Sequence, residues 1–247
     1  MRHDEVVSTG DEAVDGAQSH PVFPAEALRP AILGVVSVVV FARLTSTLLL
    51  NAFNAPDELF IVYFYGVVFG GLWWICLVVS GRYGSGRPFD DFGMRWVPRD
   101  IWRGAGVFLL ARIAQVIVLA PFAGHLDRLR RLTEGLERVS TTSFLLFAFA
   151  AVVAAPIFEE LVFRGMLQRS ITAKWSNGWA IAVQGALFGL YHVTPGLGAT
   201  NVPYALSLMA AGWALGWAAS QWGRLGPGST AHFFMNAIGT AALYGAR

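Results

Sequence analysis

Apolar residues run through this chain in long, nearly unbroken stretches, and polar residues collect between them. The stretches fall at Ala31–Leu50, Leu59–Ser80, Gly104–Phe122, Ser143–Phe163, Trp179–Val193, Tyr204–Trp222 and Thr230–Ala246. About 18 consecutive apolar residues suffice to cross a bilayer as a helix, which satisfies its own backbone hydrogen bonds in hydrocarbon. The pattern therefore predicts an all-α, polytopic membrane helical bundle of seven spans. Trp102, Trp179 and Trp222 fall near proposed span ends, as an aromatic belt at the interface would place them. The connection Gly124–Thr142 sets Leu126, Leu129, Leu132, Leu136 and Val139 among Arg128, Arg130, Arg131 and Arg138. That is helical spacing with a basic face, expected to lie along the membrane surface or to form an eighth, poorly hydrophobic helix.

Three regions follow. Residues 1–30 are polar and mildly acidic, without the basic and apolar regions of a signal peptide, and read as a disordered cytoplasmic tail. Residues 31–142 hold the N-terminal transmembrane helices and the amphipathic segment. Residues 143–247 form the core in which the unusual polar groups sit. With the N-terminus inside, eleven Arg and Lys side chains fall in inside loops and five outside, so the expected multi-pass protein has a cytoplasmic N-terminus.

Composition narrows the function classes. The 247 residues are 55% hydrophobic and 14% charged, with a mean hydropathy of +0.53. A soluble domain carries about a quarter charged residues, so the bilayer is the expected environment. A net charge of +2 without a long basic block argues against nucleic acid as a partner. The single cysteine, Cys76, excludes an internal disulfide and a cysteine-based metal site. No internal repeat is evident, which weakens a transporter built from inverted halves.

Against this background Glu159 and Glu160 stand out, because they follow the apolar run Ser143–Phe158 directly. An ionisable group near hydrocarbon costs about 2.5–3.5 kcal/mol on insertion scales, so function or pairing must account for it. Glu160 and Arg164 are one turn apart and share a face, which suits a charge-assisted pair. Glu159 is rotated about 100° away and is free to face a cavity. Pro156, upstream, deprives the carbonyl near Val152 of its partner and is expected to kink the helix. In the fifth span Phe188 and His192 are also one turn apart, and in the seventh His232 and Asn236 repeat that spacing. Counting residues from the turn at Asn177-Gly178 brings Glu159 and His192 to similar heights, nearer the face of the fourth and sixth connections. Arg43 and Arg112 also fall inside spans. Snorkelling or pairing within the bundle is their ordinary explanation, and the sequence assigns them no role.

Together these residues resemble the CAAX protease and bacteriocin-processing (CPBP) family of intramembrane proteases, which includes the type 2 CAAX prenyl endopeptidase. Its Glu-Glu-x-x-x-Arg motif matches Glu159, Glu160 and Arg164, its Phe-x-x-x-His motif Phe188 and His192, and its His-x-x-x-Asn motif His232 and Asn236. The resemblance runs from about Ser143 onwards. It implies an intramembrane endopeptidase that hydrolyses a membrane-embedded or lipid-anchored protein, such as a prenylated CAAX-like one. Glu159 and His192 would activate water, His232 and Asn236 would stabilise the oxyanion, and Glu160, Arg164 and Phe188 would support them. No cofactor is the first expectation. Zinc or another divalent metal on Glu159, His192 and His232 is the alternative, although no His-Glu-x-x-His pattern is present and Asn is a poor zinc ligand. Taken singly, an intramembrane histidine is more often a packing residue and a Glu–Arg pair a structural one. A proton-coupled transporter and a non-catalytic immunity or scaffold protein are the competing readings.

Overall fold

The computed structural model of the chain describes residues 23–53, 56–125, 139–194 and 198–245. It is a bundle of helices with no strand among the described residues. We number them α1 (Leu28–Phe53), α2 (Asp57–Tyr83), α3 (the short Pro88–Asp91), α4 (Asp100–Leu119), α5 (Thr141–Thr172), α6 (Asn177–Tyr191), α7 (Asn201–Trp222) and α8 (Gly226–Gly245). The expected helical membrane bundle is present, but its spans are uneven. Among the described residues five helical stretches, Ala25–Leu49, Asp57–Tyr83, Asp100–Ala123, Thr141–Thr172 and Gly198–Trp222, are long and apolar enough to cross a membrane.

The fifth and seventh expected spans depart from that length or apolarity. Helix α6 has 15 residues, and at about 1.5 Å per residue it falls well short of a ~30 Å hydrocarbon core. Helix α8 has 20 residues, but Thr230, His232, Asn236 and Thr240 dilute its apolar character. Both exceptions carry a polar motif. The expected disordered tail also ends earlier than Pro30. A 3-10 turn, Ala25–Ala27, leads into α1 at Leu28. Phe23, 5% exposed, packs edge-on against Phe92 at 5.1 Å. Pro30 is no boundary because proline is tolerated in a helix's first turn. The rest of the expected tail, and residues 126–138 of the amphipathic connection, lie outside the described residues.

Polar ties fasten the bundle at both ends. At one end Ser140 caps α5 by accepting from the Ser143 N–H at 3.0 Å, and both serines hydrogen-bond Glu58 at the start of α2. At the other end Arg169 of α5 donates to the carbonyls of Asp91 (3.2 Å) and Gly223 (2.9 Å), and Arg224 pairs with buried Asp100. Gly223 closes α7 in the left-handed conformation, φ 62°, as a helix C-terminus commonly requires. The Leu225 N–H then bonds Gly93 O at 2.9 Å, locking the α7–α8 turn onto the segment after α3.

Between those ends, α6 and α7 touch through backbone. Gly185 and Gly189 on α6, and Gly212 and Gly216 on α7, form two small-xxx-small faces. A Cβ placed on Gly212 would lie 2.9 Å from the Cα of Gly185 and 3.2 Å from its carbonyl oxygen, closer than real side chains come. Gly212→Val should therefore destabilise the fold by about 1–3 kcal/mol, as overpacking does. Gly66→Ala, whose Cβ would meet nothing within 4 Å, should leave the thermal unfolding curve in detergent unchanged.

Candidate active site

Helix α5 carries the carboxylates, and its backbone departs twice from α-helical register. Ala150–Ala154 and Leu161–Gln168 are π-helical, with Ala155–Glu160 between them in α register. The Ala155 N–H bonds Ala150 O, an i to i+5 step. The next such step would run from Pro156 to Ala151 O, and proline has no N–H to give. Asn236 supplies it: its Nδ2 donates to Ala151 O at 2.7 Å. The orphan carbonyl thus belongs to Ala151 rather than to Val152, because the π turn moves the gap by one residue.

Glu159 and Glu160 part as their spacing predicts. Glu160 is fully buried, and its Oε1 accepts from Arg164 Nη1 at 2.9 Å. Arg164 is equally buried, donates Nη2 to Gly212 O at 3.4 Å and stacks its guanidinium over Phe188, 4.3 Å from the ring centre. Glu159 turns the other way and lines a cavity of about 590 Å³. His192, His232 and Asn236 line the same cavity, as does Phe188. The structure brings all the motif residues of α5, α6 and α8 into one cluster.

The histidines converge on one atom. His192 Nε2 lies 3.9 Å and His232 Nε2 3.8 Å from Glu159 Oε2. That oxygen is buried and has no hydrogen-bond partner among the described residues. The other ring nitrogens are held: His192 Nδ1 lies 2.8 Å from Phe188 O, and His232 Nδ1 lies 3.0 Å from Glu160 Oε1. A carbonyl only accepts, so His192 carries its proton on Nδ1 and a neutral ring offers the Nε2 lone pair to the cavity. Glu160, ionised against Arg164, likewise takes the Nδ1–H of His232. The Nε2 of His232 then bears a proton only when the ring is an imidazolium, a cation flanked by two carboxylates. Phe188 buttresses both rings edge-on, with centroids at 4.8 Å from His192 and 5.8 Å from His232.

This donor set is loose for a metal. Ligands on one tetrahedral zinc at about 2.0–2.1 Å lie roughly 3.3 Å from each other, shorter than the 3.8 and 3.9 Å seen here. Among the described residues no group of three or more His, Cys, Asp and Glu side chains is arranged to hold a metal ion. A water hydrogen-bonded to the carboxylate and one imidazole fits the separation, since two such bonds of about 2.8 Å span it at an ordinary angle.

Several lining residues were given no role by the sequence. Tyr65, Tyr191 and Tyr204 face the cavity, as do Arg43 and Arg112. Gln184 on α6 is fully buried and donates to Gly212 O at 2.8 Å, sharing that carbonyl with Arg164. A buried glutamine in an apolar helix was a signal available in the sequence. The cavity also opens unexpectedly. Glu159 lies closer in sequence to Thr172 than to Thr141, the two ends of α5. Yet the lining rises from Glu159 through Ala155 and Ala151 to Phe147, and from His232 to Leu243. The space extends toward the face where α2 and α5 begin and α8 ends, away from the α7–α8 turn.

Residues 141–238 match the family described as type II CAAX prenyl endopeptidase Rce1-like. No curated protein and no solved structure matches the chain. The matched residues include every motif side chain. Helices α1 to α4 lie outside the matched segment.

The buried pair yields a prediction about stability. Arg164→Met should strand Glu160 without its counter-charge and cost about 3–5 kcal/mol, whereas Glu160→Met with Arg164→Met should recover much of that loss. Thermal unfolding of the three purified variants measures the difference.

Proposed function

We propose that the protein is an intramembrane endopeptidase in which Glu159 and His192 activate a water molecule without a metal. One observation carries the reading: Glu159 Oε2 meets the cavity with both histidine Nε2 atoms under 4 Å away. A water held there gives one hydrogen to the carboxylate and the other to His192 Nε2. Its lone pair is then turned toward a peptide carbonyl in the cavity. As the oxygen–carbon bond forms, the proton passes to this base pair, and the carbonyl oxygen takes the negative charge. His232, as an imidazolium, donates Nε2–H to that oxyanion, where a fixed donor in a water-poor site acts most strongly. Collapse breaks the carbon–nitrogen bond, and the proton taken from water goes to the departing amine.

Asn236 acts in two places in this scheme. One amide hydrogen is committed to Ala151 O, and the other remains for the cavity. It is therefore both the brace of the π turn and a second oxyanion donor.

The substrate is a membrane-held protein, of the lipid-anchored kind that the family's description names. An apolar cleft of about 380 Å³ supports this. It is lined by Ile32, Val35, Val36, Leu187 and Leu190, and it shares Val39, Arg43 and Tyr191 with the larger cavity. A hydrocarbon chain fits that lining, and exposed Val36 and Leu190 mark its lipid side.

Purified protein acting on membrane-anchored reporter peptides tests the mechanism. Glu159→Gln and His192→Ala should each lower turnover by about 100-fold or more with thermal unfolding unchanged. Unaltered cleavage in either would sink it, and proton-dependent solute flux lost in Glu159→Gln would favour transport. Chelation should leave activity intact. Stoichiometric zinc, with activity lost on its removal, would overturn the metal-free scheme. Prenylated reporters should be cut faster than unmodified ones, and equal rates would remove the lipid from the substrate assignment.

A further inference from the structure

Arg43 and Arg112 were the two charges for which the sequence offered no role beyond snorkelling. Each lies within a membrane-spanning stretch, Arg43 in Ala25–Leu49 and Arg112 in Asp100–Ala123. Both line the cavity that contains Glu159. A charge at membrane depth that faces a cavity instead of the interface marks a ligand path by default.

The charge balance of the cavity wall makes this specific. Among the described residues its lining holds two guanidinium groups, Arg43 and Arg112, and one carboxylate, Glu159. Glu160 and Arg164 lie behind the wall and answer each other. The described part of the wall therefore carries a surplus positive charge in a place where low dielectric makes such charge expensive. An anion entering the cavity would neutralise it.

The two arginines differ in how they are held. Arg112 is braced: Nη1 donates to Gln115 Oε1 at 2.9 Å and Nη2 to Met235 O at 3.2 Å. Gln115 in turn donates to Ser207 Oγ at 3.1 Å, so α4, α7 and α8 together fix this guanidinium beside the residue preceding Asn236. Arg43 makes no side-chain hydrogen bond or ion pair among the described residues, and it lines both the main cavity and the apolar cleft. A fixed cation and an uncommitted one thus face the cavity from separate helices.

We propose that Arg43 and Arg112 bind a carboxylate carried by the peptide being cut, and that this contact decides which bond reaches Glu159. The inference rests on the protease reading of the same site. Arginine suits the task because its planar donors match the two carboxylate oxygens. Repulsion from Glu159 keeps the bound carboxylate away from the activated water, so the scissile bond lies at a distance from it along the peptide. Two sources supply such a group, the chain's own C-terminus or an acidic side chain.

The test uses the full chain in lipid nanodiscs and three lipidated fluorescent peptides of one sequence. One ends in a free carboxylate, one in an amide, and one in an amide with a glutamate near the end. Binding and cleavage are both measured. One charged peptide should bind at least about tenfold more tightly than the neutral amide, the worth of one hydrogen bond to a charged group. Which charged peptide wins identifies the source. Arg43→Gln should erase that preference through KM, raising it more for the charged peptide than for the neutral amide, and Arg43→Lys should restore part of it. Arg112→Gln should act in the same sense. Because it also frees Met235 O, Arg43→Gln is the deciding variant. Equal handling of charged and neutral peptides, equal loss for both in Arg43→Gln, or no binding of any peptide would overturn the proposal. Carboxylate-dependent binding without any cleavage would leave it standing and sink the protease reading instead.

Discussion

A carboxylate and a guanidinium deprived of water must answer each other, and Glu160 and Arg164 do so at 2.9 Å with both side chains fully buried. Much of the site is arranged around that contact. Arg164 lies on Phe188, whose ring edges brace both histidines. Glu160 takes the Nδ1 of His232 and so settles which nitrogen of that ring meets the cavity. The Gly212 carbonyl receives Arg164 and Gln184 together, and its residue is also where α7 approaches α6 most closely. The pair is not fully satisfied, since Glu160 Oε2 and Arg164 Nε lack partners among the described residues. Buried pairs of this kind contribute more to a single arrangement than to net stability, and here the arrangement orients a histidine.

Glu159 is the complement of that pair. It has comparable burial, 5% exposed, and no counter-charge in hydrogen-bonding range among the described residues. One helical step thus separates a group whose charge is answered from one whose charge is left for a reactant. The two histidines sort in parallel: His192 takes its orientation from a backbone carbonyl and His232 from a carboxylate. Identical side chains therefore offer different chemistry to one cavity, because their far nitrogens meet different partners.

Much of this was legible in the amino-acid sequence, because it follows from helical periodicity. The i,i+4 spacings placed Glu160 with Arg164, Phe188 with His192, and His232 with Asn236 on shared faces, and the 100° step divided the carboxylates. What escaped depends on tertiary contact. Hydropathy could not tell that α6 has only 15 residues, too few to cross a bilayer, since they are as apolar as those of longer helices. Nor could it show that Asn236 completes the backbone of α5, a bond between residues 85 positions apart. The direction in which the cavity opens is set by gaps between packed helices, which no local pattern encodes. The same holds for Arg43 and Arg112, whose helices show charge but not the space it faces.

The π turn at Ala150–Ala154 has a consequence for the chain's history as well as its shape. Such a turn is an α-helix that has taken in one extra residue, and every side chain beyond it is indexed about 100° further round the axis. The azimuth of both carboxylates is thus dialled by a single residue several positions upstream. A one-residue deletion there would rotate them together, turning Glu159 out of the cavity and Glu160 away from its histidine while leaving the motif's spelling intact. In this fold a relative could keep all three motifs letter for letter and still have its chemistry pointed at a wall.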